Sequence, residues 1–472
     1  MFKQLTQSFT DLAGAPRALW YVIGAFVVDS AAYFGILTLM TIYLGKDLGW
    51  SDTHAGMAVS VFTMLVTLFM LGVGSLTEAL GLRRAIVCAL LVTILGRTLY
   101  CLAASSGGSS SMAIMAMMAL LLVACGSGML QPVCYSGVKQ YTDAKTSAMG
   151  YAMIYAVMNL GIVGIGTLSS WIRPGVQNIL DGHQPGATAD PMSRSLAQVT
   201  GSGVQAVNWL CCGLTVLTLL LFLLLMTRKT EAAKLRPDAV LDNPSRSKPP
   251  LWQRFKSYFL EGPFGNKRFV FFIFMLLPVR TLFAHQWLTM PQYILRSYPK
   301  EVGDKMEWLI NWINPAIIFV GVPVLTALTR RTNVYTMMII GSLVSALPTF
   351  LLCYGPSLPM LLTYFVIFSI GEALWSARFL EYASELAPPG RVAQFMGLAQ
   401  VPWLMAKGTT GFYSGYLLST YCPENTPVAQ LHTGTLWFIY GCIAMSSPLG
   451  LWLARKWVAK GMHAPASPAA GR

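Results

Sequence analysis

Glu372, Arg378, Glu381 and Glu385 lie in a stretch that begins near Pro359 and is otherwise apolar enough to cross a bilayer. An ionisable group at the centre of a spanning helix costs about 3 kcal/mol on insertion scales, so such groups usually face a cavity or a partner. Asp29 raises the same problem in the first apolar run, and Arg280 and His285 raise it in the seventh. Glu372 has Trp375 at i+3 and Ser376 one turn on, and an acid beside aromatic groups suits an amine or a cationic moiety. Asp29 shares a helical face with Tyr33, one turn on. It reads either as a proton acceptor or as a carboxylate satisfied by a neighbouring helix. Arg280 follows Pro278, which kinks a helix and frees a carbonyl. It is either a fixed ion-pair partner for Asp29 or Glu372, or the holder of a substrate anion. A guanidinium matches a planar carboxylate or phosphate better than an ammonium does. Histidine as a residue type titrates near neutral pH, so His285 reads either as a coupling site for protons or as a hydrogen-bonded packing residue. Arg378 with Glu381 at i+3 and Glu385 at i+7 reads as a gate that breaks and reforms, or as a static bridge. Lys407 and Arg97 read as long cations that snorkel.

Membrane-spanning elements must position these groups. Of the 472 residues, 55% are hydrophobic and only 11% charged, against about 25% charged in a soluble domain. The chain therefore reads as a polytopic helical membrane protein. A span needs about 20 apolar residues, and twelve such runs stand at 18–44, 56–76, 84–105, 111–138, 146–172, 203–227, 268–295, 307–328, 334–354, 359–386, 390–420 and 434–455. At 1.5 Å per residue, Asp29, Arg280 and Glu372 each lie roughly 16–20 Å deep, near mid-membrane. The longest polar segment, Arg228 to Lys267, separates the sixth and seventh runs. Within it, Leu251, Phe255 and Phe259 share one face, which fits a short helix lying in the interface. The domains read as a six-helix bundle over 1–227, a cytoplasmic linker with an amphipathic helix over 228–267 and a second six-helix bundle over 268–456. A cytoplasmic tail follows over 457–472.

With both termini cytoplasmic, about 23 of the Lys and Arg residues fall on the inner side and about six outside: Lys46, Arg173, Arg194, Arg296, Lys300 and Lys305. The net charge of +14 is then mostly a topology signal, not a nucleic-acid footprint. The nine Cys lie mostly inside apolar runs and read as small core residues. There is no phosphate loop, metal pattern or nucleophile–base spacing, so the chain reads as neither an enzyme nor an ATP-driven pump, with no cofactor and no metal. The first apolar run is too long for a cleavable signal peptide. The outer stretch 173–202, rich in Gly, Pro and Ser, has no assigned role.

The halves echo each other. Ala148-Met149-Gly150 with Gly161 and Gly164 matches Phe395-Met396-Gly397 with Gly408 and Gly411 at a constant offset of about half the chain. Parallel repeats of this kind build transporters whose site lies near the midplane. Gly74-Ser75-Leu76-Thr77-Glu78-Ala79-Leu80-Gly81-Leu82-Arg83-Arg84 resembles the G-x-L-a-D-r-x-G-r-k signature of the major facilitator superfamily, with Glu78 in the Asp position. Gly126-Ser127-Gly128 with Gln131-Pro132, Gly150-Tyr151 and Tyr155 to Gly161 resemble the fourth and fifth spans of the proton-dependent oligopeptide transporters. Asn314-Pro315 with Pro323 resembles that family's eighth span. Gly371-Glu372 to Ser376, Glu385 to Pro388 and Met396-Gly397 resemble its tenth span and the loop after it. Tyr33-Phe34-Gly35 resembles the end of its E-x-x-E-R-F-x-Y-Y-G signature, but Phe26, Asp29 and Ser30 replace the two Glu and the Arg. Gln131 stands for the family's fourth-span Lys, and His285 for its seventh-span acid. The chain keeps the amine-facing acid, Glu372, and lacks both carboxylate clamps, which marks a divergent relative.

The resemblance implies an all-α major facilitator fold, twelve spans in two six-helix bundles, with spans one, four, seven and ten around the cavity. The expected function is secondary active transport of a small polar solute, peptide-like or bearing an amine and a carboxylate, by proton symport. Substrate contacts are expected from Glu372, Arg280, Tyr33, Asn159, Gln131, Trp375 and Ser376, and proton coupling from Asp29, His285 and Glu372. Arg378 and Glu381 are the expected gate. The partners are the solute, protons and membrane lipid, in a monomer in the bacterial inner membrane. A proton-driven efflux antiporter and a non-transporting sensor on a transporter fold are the alternatives.

Overall fold

The computed structural model describes residues 12–72, 80–105, 108–143, 146–183, 189–233, 267–329, 332–385 and 401–462. They are helical almost throughout, with no strand among them. Six long helices occupy the first half: α1 (Arg17–Ile42), α2 (Asp52–Gly72), α3 (Leu82–Ala103), α4 (Ser109–Tyr141), α5 (Ser147–Leu180) and α6 (Gly203–Leu225). The second half holds α7 (Lys267–Met275), α8 (Leu277–Leu288), α9 (Met290–Ser297), α10 (Met306–Leu328) and α11 (Val334–Ala346). It ends with α12 (Leu358–Glu385), α13 (Val401–Tyr421) and α14 (Thr433–Met462). Ten helical stretches among the described residues are long and apolar enough to cross a membrane. Helices α10 and α13 lie where the eighth and eleventh spans are expected but are not among those ten. The signature turn at 74–79, the interfacial helix expected over 251–260 and the segment 386–400 lie outside the described residues.

The seventh span shows how sequence chemistry shapes the chain. In a continuous helix the Pro278 ring would clash with the carbonyl four residues back, and it has no N–H to donate. The helix breaks at Leu276 and restarts as α8. The Val279 N–H just after the break donates to Ser447 Oγ on α14 at 2.9 Å. A hydroxyl thus satisfies a backbone group that lipid has no means to satisfy. Arg280 follows directly, in the first turn of α8.

By packing, the chain divides into two compact units. The first takes Met1–Arg246, Gln286–Ala316 and Gly408–Leu431; the second takes Ser247–His285, Ile317–Lys407 and His432–Arg472. In the first unit, α1 packs on α5 and α6, and α3 lies along α4. The α3–α4 approach needs a residue without a side chain, because a Cβ on Gly126 would run into the Thr93 side chain and backbone. In the second unit, α11 packs on α12 and α14.

One expectation about charge is corrected in the first unit. Arg173, counted above as an outer-loop residue, lies inside α5 and is buried. Its guanidinium takes Glu307 on α10 as a two-point partner, with Nη2 2.9 Å from Oε2, and Nη2 also donates to the Gly303 carbonyl at 2.6 Å. The helix runs on to Leu180, so the outer stretch from 173 is shorter than expected. It also holds a short helix, Pro191–Ala197, capped by the Asp190 carboxylate accepting from the Ser193 N–H. Arg296, in α9, is also paired: it is bidentate to Asp52, both contacts at 2.7 Å, and donates to the Cys422 carbonyl at 2.9 Å. A fork-to-fork pair of this kind fixes geometry as well as charge.

Candidate functional site

In the first unit, α1 carries Asp29 and Tyr33. Asp29 is 4% exposed, and its Oδ1 lies 3.0 Å from Nη2 of Arg97 on α3. Arg97 is fully buried and also donates to Thr215 Oγ1 on α6. Arg97 therefore does not snorkel: a carboxylate and a hydroxyl inside the bundle hold its head. Asp29, one of the two acids open as an ion-pair partner for Arg280, has Arg97 as its partner. Tyr33 stacks on Phe62 of α2, with centroids 5.9 Å apart. Gln131 Nε2 lies 3.4 Å from Tyr135 Oη within α4. Asn159 is buried, and its Nδ2 donates to the Tyr155 carbonyl one turn back in α5 at 2.9 Å.

The second unit gathers its charge around aromatic rings. Arg280 on α8 is 5% exposed. Its Cζ lies 4.2 Å from the centroid of Phe379, 5.5 Å from that of Trp375 and 6.0 Å from that of Trp403. Trp375 and Phe379 are one turn apart on α12, so they present one face; Trp403 comes from α13. Phe283, one turn after Arg280, packs edge-on against both indoles, at 5.8 and 6.0 Å. The Trp375 Nε1–H donates to Ser345 Oγ on α11 at 3.3 Å, which pins that ring.

The Arg280 guanidinium forms no ion pair among the described residues, and its Nε is buried without a hydrogen-bond partner. Cation–π contacts supply about 0.5–2 kcal/mol each. A buried charge normally needs a counter-charge as well, because taking an ion out of water costs several kcal/mol. In place of a fixed ion pair with Asp29 or Glu372, three aromatic rings enclose the Arg280 cation, and its Nε is left without an acceptor among the described residues. Glu372 and Ser376 stand half-buried on α12, beside Trp375 in sequence. His285, five residues after Arg280, is fully buried and stacks on Tyr440 of α14, with centroids 3.8 Å apart. Arg378, Glu381 and Glu385 fall on α12, but their side chains lie outside the described residues. Lys407, expected to snorkel, places its Nζ 5.0 Å from the Trp403 centroid. Sequence reasoning missed Phe283, Phe379 and Trp403. The available signals were the spacings Arg280/Phe283, Trp375/Phe379 and Trp403/Lys407, each one helical turn.

Residues 22–406 match the Major Facilitator Superfamily. The chain belongs to that superfamily. It is an all-α, multi-pass integral membrane protein, and its relatives by fold are transporters, not enzymes. A POT family transporter solved in complex with a thioalcohol-conjugated peptide superposes with a TM-score of 0.68 at 16% identity, over 94% of this chain and 97% of that one. Two curated relatives match over shorter stretches. Protein NRT1/PTR FAMILY 5.15 of Arabidopsis thaliana is 37% identical over 93 residues, 20% of this chain. Peptide transporter family 1 of Drosophila melanogaster is 27% identical over 168 residues, 34% of this chain. The matched stretches span 16% and 22% of those two proteins.

Proposed function

We propose that this superfamily member is a proton-coupled secondary transporter of a small polar solute, peptide-like or otherwise bearing an amine and a carboxylate. The observation that carries the reading is Arg280, buried among Trp375, Phe379 and Trp403 without a counter-ion among the described residues. Such a cation is poised to take its anion from a bound solute. Glu372 takes the amine, with Trp375 and Ser376 beside it. In the first unit, Tyr33, Gln131 and Asn159 are the solute contacts. Protons act at Glu372, His285 and Asp29; a proton on Asp29 would dissolve its pair with Arg97. Arg378 and Glu381 form the gate. The protein works as a monomer in the bacterial inner membrane, both termini cytoplasmic. The resemblance to peptide transporters and the excess of inner-side Lys and Arg support these assignments.

Proteoliposomes test the reading. With the pH outside below that inside, uptake of dipeptides or amino acids should exceed that at equal pH. Glu372→Gln should abolish the gradient-driven part. Uptake of every tested solute that ignores the gradient would sink proton coupling, and full activity in Glu372→Gln would remove that residue from the site.

A further inference from the structure

Trp403 and Lys407 stand one turn apart on α13, so both side chains leave the same face of the helix. The Lys407 Nζ lies 5.0 Å from the Trp403 ring centroid. From α8, the Arg280 Cζ lies 6.0 Å from that same centroid. One indole is therefore shared by two cations that sequence separates by more than a hundred residues. Neither cation forms an ion pair among the described residues. Two like charges gathered in an apolar setting repel each other and each bears a desolvation cost. Snorkelling does not account for the arrangement, because the Lys407 head lies against a ring that also meets the buried Arg280. Trp403 and Lys407 are themselves half-buried.

We propose that the solute carries two anionic groups, one held by Arg280 and the other by Lys407, with the Trp403 ring as the apolar wall between them. The inference rests on the transport reading above and narrows its substrate class to amine-bearing solutes with two carboxylates, such as dipeptides with an acidic side chain; simple dicarboxylates probe the two cations alone. Arg280 offers the planar fork that fits one carboxylate in two-point fashion, and Lys407 offers a point charge that tolerates different positions of the second. A monocarboxylate satisfies Arg280 and leaves Lys407 without an anion.

The test uses the full chain in detergent and two matched pairs of solutes: Ala-Glu with Ala-Gln, and glutarate with its monomethyl ester. Ligand-induced thermal stabilisation, titrated to an apparent Kd, reads the affinity. In the wild type, each dicarboxylate should bind about tenfold to a hundredfold more tightly than its monocarboxylate partner, the size expected for one charge-assisted contact. Lys407→Gln should bring that ratio near one and leave the monocarboxylate affinity in place, and Lys407→Arg should preserve the ratio. No preference in the wild type, a preference that survives Lys407→Gln, or equal losses for both members of a pair would overturn the inference. Uptake separates this outcome from the transport reading. A Lys407-dependent preference without uptake of any of the four solutes sinks transport of this class alone; gradient-driven uptake without the preference sinks the two-anion site alone.

Discussion

The buried pair of Asp29 and Arg97 lends itself to a double-mutant cycle. The two groups are 4% and 0% exposed, and their charged atoms lie 3.0 Å apart. With an effective dielectric constant near 20, the gross attraction at that distance is about 5 kcal/mol. Desolvating the two ions offsets most of this, so replacing the pair by apolar groups of similar size should be close to neutral. Removing one partner is different, because it strands the other. Asp29→Ala leaves a guanidinium with only Thr215 and a distant backbone carbonyl, 3.4 Å from Nη2. Each of Asp29→Ala and Arg97→Met should cost about 3–5 kcal/mol. The double variant should lose less than the sum of the singles by at least about 3 kcal/mol, a coupling at or above the upper end for residues in contact. Denaturant unfolding of the purified protein in one detergent, followed by tryptophan fluorescence, gives the four stabilities. A double variant whose loss equals the sum of the singles within about 0.5 kcal/mol would refute the pairing.

Two further outcomes test the packing. Gly126→Ala should lower the thermal midpoint clearly, by an amount typical of overpacking, about 1–3 kcal/mol, because its methyl meets Thr93. Gly213→Ala, in α6 with nothing within 4 Å of the new methyl, should be neutral or stabilising by up to about 1 kcal/mol through helix propensity; equal losses in the two variants would show that α3 and α4 do not meet at Gly126. Ser447→Ala removes the acceptor of the Val279 N–H and should cost about 1–3 kcal/mol, whereas an unchanged midpoint in the same thermal scan would mean that the break at Leu276 does not depend on that hydroxyl.

The element map was largely legible because a span is a local property. Whether about 20 consecutive residues suit hydrocarbon depends on those residues alone. The helices therefore fall where the apolar runs fall, and the break before Arg280 falls where Pro278 demanded it. The main misreading, Arg173, came from the same rule applied too far: Arg-Pro after an apolar run looks like a span end. In the fold, Arg173 stays in the helix because Glu307, far away in sequence, neutralises it.

What the sequence determined by itself was which residues are out of place in a membrane: Asp29, Arg97, Arg280, His285, Glu372 and Lys407 all stand in runs that lipid should surround. What only the tertiary structure decided was how five of them are matched. Asp29 meets Arg97, Arg280 meets three rings from two other helices, His285 meets Tyr440, and Lys407 shares an indole with Arg280. The physical reason lies in helix geometry. Rise along the axis follows from residue number, so depth can be counted from sequence; the rotation of each helix about its axis and its choice of neighbour are set by packing between distant segments. Residues at one depth are candidates for contact, and the packing of the bundle selects among them.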